Sequence, residues 1–390
     1  MSLNDTPLSK RIHIGIFGST NAGKSSVVNA ITNQNAALVS DIKGTTTDPV
    51  IKSMEMLPIG PVAIIDTPGI DDDGALGKDR TDRTMKMLDK TDIAVLISDA
   101  TVDMNDYDKN LIELFKERKI KYIVAYNKCD LIENKKDNLI YISAKTGEGI
   151  DRLKDEIASL ASSKEVQKPL LYGLVEKGDI VVLVTPIDEA APKGRLILPQ
   201  QMTIRDCLDH GGVAIVTKET ELKQTLGSLS KKPKLVICDS QVFKIVDKIV
   251  PRDIPLTSFS ILMARYNGYL DMAISGIKSL DNLKDKDKIL IAEGCTHHRQ
   301  CNDIGTVKIP KGLAMYTKKA LEINTCSGGD FPKDLSSYSL VIHCGGCMLT
   351  PKEVKSRMEY ALSHNIPVTN YGILLAHING ILERSIEIFM

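Results

Sequence analysis

The sequence predicts an α/β protein of three successive modules with mainly parallel sheets. Short apolar runs alternate with amphipathic stretches from end to end, the pattern of repeated strand–helix units. The chain has 390 residues, enough for two or three independent cores at about 100–200 residues per domain. A polar stretch at 162–168, followed by Pro169, reads as a linker, and the apolar period changes again near 261. The expected modules are therefore residues 1–165, 168–270 and 271–390.

In the first module, residues 11–17, 62–66, 93–99, 122–127 and 139–143 are strand candidates. In the second they are 180–185, 213–217, 235–239 and 255–259, with a helix over 241–250. The runs 181–184, 213–216 and 235–237 are largely apolar, as a sheet buried on both faces requires. Residues 261–283 carry apolar side chains at three- and four-residue spacing and are expected to form one long helix. The third module takes strands at 288–292, 321–325, 340–343 and 367–371 and ends in a helix over 373–390.

Composition narrows the function. Fifty basic residues balance fifty acidic ones, and the first 160 residues carry 21 basic and 25 acidic groups, so no region forms the polybasic surface that nucleic acid or an anionic membrane attracts. With no Trp and six Phe, platforms for stacking bases are scarce. The polar N-terminus and the absence of an apolar run near 18 residues argue against a signal peptide and a membrane span, and the expected location is cytoplasmic. Thiols stay reduced there, so the eight Cys are expected as packed thiols or metal ligands.

The first strand candidate runs into Gly18-Ser19-Thr20-Asn21-Ala22-Gly23-Lys24-Ser25, followed by Ser26, which fits G-x-x-x-x-G-K-[ST] between a strand and a helix. Glycines let backbone N–H groups turn inward around phosphates, Lys24 brings a point charge to the β- and γ-phosphates, and the Ser25 hydroxyl ligates Mg²⁺. Asp66-Thr67-Pro68-Gly69 ends a strand, where Asp66 would hold the Mg²⁺ shell and the Gly69 N–H would meet the γ-phosphate. Asn127-Lys128-Cys129-Asp130 and Ser143-Ala144-Lys145 end two later strands. The Asp130 carboxylate would accept from guanine N1 and N2, Lys128 would flank the base, and the Ala144 backbone would meet O6. Each string alone is an ordinary turn; four in this order point to a site for GTP.

These 160 residues resemble the translation-factor-related GTPases, in the branch that contains Era and the tRNA-modification GTPase. The resemblance implies a P-loop GTPase fold and a switch threonine on Mg²⁺, for which Thr46 in Gly44-Thr45-Thr46-Thr47-Asp48 aligns best. Ile70 stands where Ras-like enzymes place the glutamine that orients the attacking water. In the resembled branch an asparagine at the position of Asn21 holds a K⁺ that neutralises charge between the β- and γ-phosphates, which implies slow, K⁺-stimulated turnover with Lys24, Thr46 and Gly69 as the catalytic groups.

The cysteines form a second constellation. Cys295-Thr296-His297 and His343-Cys344-Gly345-Gly346-Cys347 each lie just past a strand candidate, so both would project from the carboxyl edge of a parallel sheet. The C-x-x-C pair can bite one metal centre, and Cys295 completes three thiolates. Three soft ligands with a replaceable fourth position suit an iron–sulfur cluster; a structural zinc site would want a fixed fourth ligand. His343, His297, Cys301, Asp303 and solvent are all open as the fourth ligand, and Cys326 could line the mouth. Cys129, Cys207 and Cys238 read as packed side chains.

The combination of a GTPase module with C-x-H, 45 intervening residues and H-C-x-x-C resembles the FeFe-hydrogenase maturation GTPases, the HydF family, over the whole chain. The resemblance implies a central dimerisation domain and a C-terminal 4Fe-4S domain with Cys295, Cys344 and Cys347 as ligands and His297 and His343 nearby. It also implies a homodimer or higher assembly that scaffolds or carries the diiron precursor of the hydrogenase active site. Its partners would be radical-SAM maturation enzymes and the apo-hydrogenase, with no nucleic acid or membrane. The competing expectation is an Era-branch GTPase of RNA modification or ribosome assembly with a C-terminal zinc module.

Overall fold

The structure is a computed structural model that describes residues 6–33, 40–42, 50–67, 77–162, 168–187, 196–294 and 304–390. The chain divides into two compact units, Met1–Gln167 and Lys168–Met390.

The first unit is built on seven strands: β1 (Ile12–Phe17), β2 (Ser40–Ile42), β3 (Val50–Met56), β4 (Gly60–Asp66), β5 (Ile93–Asp99), β6 (Lys121–Asn127) and β7 (Ile140–Tyr141). They lie in the order β2-β3-β4-β1-β5-β6-β7. From β4 to β7 the pairings are parallel, while β2–β3 and β3–β4 are antiparallel. Helices α1 (Lys24–Asn33), α2 (Gly77–Lys90), α3 (Asp106–Glu117) and α4 (Ile150–Ser162) complete the unit. Alternate residues of the central strands feed opposite faces. Ile93, Val95 and Ile97 join Val27, Ile31 and Leu153 of α1 and α4, whereas Ala94 and Leu96 meet Leu111 and Phe115 of α3. That two-sided burial is why the central strands read as continuous apolar runs. Strand β3, Val-Ile-Lys-Ser-Met-Glu-Met, next to the edge strand β2, is not among the expected strands, because it interleaves charges with apolar residues as a strand with one wet face does.

The second unit contains two all-parallel sheets. The first holds β8 (Ile180–Val184), β9 (Val213–Thr217), β10 (Leu235–Cys238) and β11 (Leu256–Ser258), ordered β11-β10-β8-β9. The second holds β12 (Lys288–Glu293), β13 (Glu322–Ser327), β14 (Tyr338–His343) and β15 (Val368–Asn370), ordered β13-β12-β14-β15. The helices are α5 (Leu198–Asp209), α6 (Leu222–Ser228), α7 (Phe243–Ile249), α8 (Phe259–Tyr266), α9 (Leu270–Ile277), α10 (Ile309–Thr317), α11 (Pro351–Ser363), α12 (Tyr371–Ile378) and α13 (Leu382–Ile386). One continuous core joins Val182, Val236 and Leu256 of the first sheet to Ile289, Ile291 and Val341 of the second.

The C-terminal helix ties the two sheets together. Arg384 on α13 pairs with Asp247 of α7 at 2.7 Å and donates to the carbonyls of Val250, Pro251 and Ile254. The Thr257 hydroxyl donates to the Ser385 carbonyl at 2.8 Å. A guanidinium with only 8% of its side chain exposed is tolerated because a carboxylate and four carbonyls, that of Asp247 included, accept from its two terminal nitrogens.

Three expectations need correction. The single helix over 261–283 is α8, α9 and a 3₁₀ turn over Lys278–Asn282, broken where Gly268 takes φ +77°. The final helix over 373–390 is likewise interrupted at Gly380, φ +71°. Both glycines adopt a left-handed conformation that ends a helix and that other residues resist. The third concerns β9, which is not buried on both faces: as an edge strand it leaves Val213 and Val216 exposed, at 49% and 44%.

Candidate functional sites

The phosphate loop connects β1 to α1 at the carboxyl edge of the first sheet. Gly18, Asn21 and Gly23 have φ of +138°, +62° and +88°, conformations that turn the backbone back on itself. A side chain at Gly18 would meet the Ile97 carbonyl at 2.1 Å, so the first glycine is required by the close passage of β5. Thr20, Asn21, Gly23, Lys24, Ser25 and Ser26 line an open pocket. The Lys24 ammonium is buried and donates to the carbonyls of Gly18 and Ser19, both at 2.8 Å. A phosphate entering the pocket would compete for that charge.

The base-reading segments stand beside this loop and are fastened to it. Asn127 at the end of β6 is 3% exposed; its Nδ2 donates to the Ala22 carbonyl at 2.9 Å and its Oδ1 accepts the Ala144 N–H at 3.0 Å. One amide therefore joins the phosphate loop to the segment expected to meet guanine O6. The Asp130 carboxylate is exposed and accepts from the Ser143 hydroxyl at 2.7 Å, and that hydrogen bond holds its pKa below the usual carboxylate range. Lys128, with φ +66°, forms an ion pair with Asp99 at the end of β5. Burial pushes the Asp99 carboxyl up, but hydrogen bonds from Lys128 and Thr101 outweigh it and hold the group below its usual value. Lys145 is exposed at the rim.

Asp66 ends β4, and its Oδ1 is buried with no hydrogen-bond partner among the described residues. An orphaned carboxylate oxygen is costly unless a cation or water completes it, so the residue fits the Mg²⁺ role expected of it. Gly44 to Asp48, including Thr46, lie outside the described residues, as do Pro68, Gly69 and Ile70.

Sequence reasoning missed two acidic groups here. Asp99 positions Lys128, and Asp108 on α3 reaches the phosphate loop, its Oδ1 accepting the Ser19 N–H at 3.0 Å. Asp108 belongs to no loop motif; its one local signal is Asn105, whose side chain caps α3 by accepting the Asp108 N–H at 2.8 Å.

At the carboxyl edge of the third sheet, β12 and β14 are neighbours in register, Ala292 opposite His343. Cys344 follows β14 directly, and its sulfur accepts N–H groups from Gly294 at 3.0 Å and Gly346 at 3.3 Å. Gly346 has φ +66°, which closes the C-x-x-C turn, and both Cys344 and Cys347 are half-buried. Backbone N–H groups aimed at sulfur suit a thiolate, so this pair fits metal ligation. Cys295 follows Gly294 in sequence and lies, with His297, Cys301 and Asp303, outside the described residues. Among the described residues no group of three His, Cys, Asp or Glu could hold a metal ion.

His343 is fully buried, which keeps its ring neutral with a pKa lowered to about 4; its Nδ1 meets the Cys344 carbonyl at 2.8 Å. Cys326 is the penultimate residue of β13, half-buried, its thiol pushed up to about 11 by burial. Cys129, Cys207 and Cys238 are buried in their cores.

No helix among the described residues is long and apolar enough to cross a membrane. Residues 13–128 match the family described as 50S ribosome-binding GTPase, residues 170–268 the hydrogen maturase F dimerization domain, and residues 271–388 the hydrogen maturase F tetramerization domain. Curated relatives include GTPase Der of Mycoplasmopsis agalactiae, 29% identical over 211 residues, covering 48% of this chain and 48% of that protein. The tRNA modification GTPase MnmE of Desulforamulus reducens is 33% identical over 157 residues, covering 37% and 33%. GTPase Der of Wolinella succinogenes is 36% identical over 165 residues, covering 37% and 35%. The chain spans about half or less of the length of these relatives.

Proposed function

Since the chain belongs to the hydrogen maturase F family, we propose that it hydrolyses GTP to GDP and phosphate in its first unit and holds a 4Fe-4S cluster in its second. In that role it acts as scaffold or carrier for the diiron subcluster of the FeFe-hydrogenase active site. The observation that carries the cluster reading is the Cys344 sulfur receiving two backbone N–H groups beside Cys347, one residue from Cys295 in sequence at Gly294.

At the nucleotide site, inward-turned N–H groups of Asn21 to Ser26 bind the phosphates, and Lys24 leaves the Gly18 and Ser19 carbonyls to meet β- and γ-oxygens. Asp130 takes the guanine N1 and N2 protons, held in place by Ser143. Asn127 keeps the base and phosphate segments at fixed separation, so the nucleotide is gripped at both ends. Mg²⁺ would be held by Ser25, Asp66 and Thr46, and would neutralise charge on the phosphates. K⁺ would be held by Asn21. Catalysis is assigned to Lys24, Thr46 and Gly69.

At the sulfur site, Cys295, Cys344 and Cys347 are the ligands, with His297 and His343 nearby. A cluster so held supplies an exchangeable iron position at which cargo can attach. Residues 168–270 and 271–390 serve dimerisation and cluster binding, and the exposed β9 edge, with Val213 and Val216 uncovered, supports a homo-oligomer. The diiron precursor would come from radical-SAM maturation enzymes and pass to the apo-hydrogenase, in the cytoplasm.

The test is purification and reconstitution without oxygen, followed by iron, sulfide and zinc analysis alongside GTP turnover in potassium and in sodium buffer. About four iron and four sulfide per chain, with faster turnover in potassium, is the expected result. Stoichiometric zinc without sulfide would favour the zinc-module reading, and equal rates in the two salts would remove the K⁺ assignment.

A further inference from the structure

A carboxylate under the phosphate loop is an unusual neighbour for a site that receives polyphosphate. Asp108 is 1% exposed on α3, and its Oδ1 accepts the Ser19 N–H at 3.0 Å across 89 residues of sequence. Burial leaves its pKa raised, outweighing the Ser19 N–H, the Ser98 hydroxyl and the Lys24 charge, which pull it down. The backbone at Asp108 is ordered from its own element as well, because the Asn105 side chain caps α3 by accepting the Asp108 N–H.

Ser19 follows Gly18, whose φ of +138° starts the loop, and precedes Thr20, which lines the pocket. Anchoring the Ser19 N–H downward onto α3 fixes the plane of the Gly18–Ser19 peptide. The Ser19 carbonyl, meanwhile, accepts from Lys24. The loop is then held by one donor and one acceptor of the same residue before nucleotide arrives, which lowers the ordering cost of binding phosphate.

We propose that Asp108 is a positioning residue of the nucleotide site: through the Ser19 N–H it holds the phosphate loop in its binding conformation in the nucleotide-free protein. This rests on the reading of the first unit as a guanine-nucleotide site. What matters is the acceptor oxygen at Oδ1, since a negative charge beneath the loop opposes phosphate.

The experiment compares full-length wild type with Asp108→Ala and Asp108→Asn, measuring amide hydrogen exchange over residues 18–24 without nucleotide and GDP affinity with a fluorescent analogue. Asp108→Ala is expected to lose the exchange protection of the loop and to bind GDP about ten- to a hundredfold more weakly, the factor that leaving the Ser19 N–H without its acceptor supports. Asp108→Asn keeps an acceptor oxygen and drops the charge, so its loop protection and GDP affinity should stay within about threefold of wild type or improve. A merely structural role would lower the melting temperature of both variants without separating their loop exchange. Unchanged loop protection and GDP affinity in Asp108→Ala would overturn the proposal. So would equal losses in Asp108→Asn, which retains the acceptor. Should wild type bind no guanine nucleotide, the functional reading fails, and the exchange comparison still decides whether Asp108 holds the loop.

Discussion

Replacing Asn127 by Ala removes two hydrogen bonds that join separate parts of the first unit. The lost partners are the buried Ala22 carbonyl at 2.9 Å and the half-buried Ala144 N–H at 3.0 Å. Each neutral bond contributes about 0.5–1.5 kcal/mol net, and a partner left buried without one adds about 1–3 kcal/mol. Water can reach Ala144 more easily than Ala22, so the unpaired cost falls on Ala22 alone and the total comes to roughly 2–6 kcal/mol. In a unit of this size that corresponds to about 4–24 °C in melting temperature. The assay is calorimetry on the full chain, where the transition that GDP raises belongs to the first unit. The variant should show that transition lowered by this amount, with GDP affinity reduced because the base and phosphate segments no longer hold a fixed separation. A shift under about 1 °C with wild-type affinity would refute the argument that one amide couples the two segments.

Asp130→Asn should shift preference from guanine toward xanthine nucleotides, because the amide can donate to the oxo group at xanthine C2; equal competition by ATP and GTP in the wild type would defeat the base-reading assignment. Lys24→Ala should abolish turnover while leaving the melting profile near wild type, since its bonds to the Gly18 and Ser19 carbonyls lie within one loop; global unfolding would contradict this. Asp99 has a folded-state pKa below its ordinary value, the Lys128 and Thr101 hydrogen bonds outweighing burial. Its stabilisation is therefore complete above about pH 4 and is lost as pH falls through the lower folded value. The stability gap between wild type and Asp99→Asn should narrow below about pH 4, and a gap constant with pH would exclude the Lys128 ion pair as its source.

The nucleotide site was legible because its parts are local. A loop of eight residues, two glycines with φ above +80° and a lysine fold the same way wherever a strand feeds a helix, so the string Gly18 to Ser25 carries its own geometry. What holds the parts together was not legible. The Asp108–Ser19 and Asn127–Ala22 bonds span 89 and 105 residues, and no periodicity encodes them. Strand β3 escaped because a strand with one wet face breaks the apolar run that marks its buried neighbours. The helix breaks at Gly268 and Gly380 were written in the sequence as glycines, but apolar spacing continued across them and won the assignment. The bond from Arg384 to Asp247, which helps to join the two sheets of the second unit, links residues 137 apart and becomes visible only once α13 packs back.

The central claim is that one chain carries a guanine-nucleotide site and a separate thiolate-held cluster, each with its own ligands. The most direct measurement is made on the Cys344→Ser, Cys347→Ser double variant, reconstituted without oxygen beside wild type and followed by iron content, visible absorption, electron paramagnetic resonance and GTP turnover. Wild type should bind iron and give the resonance of a reduced cluster. The variant should lose iron, absorption and resonance while hydrolysing GTP at nearly the wild-type rate. Iron and cluster resonance retained in the folded variant would contradict the assignment of these sulfurs, and loss of GTP turnover in that variant would contradict the separateness of the two sites.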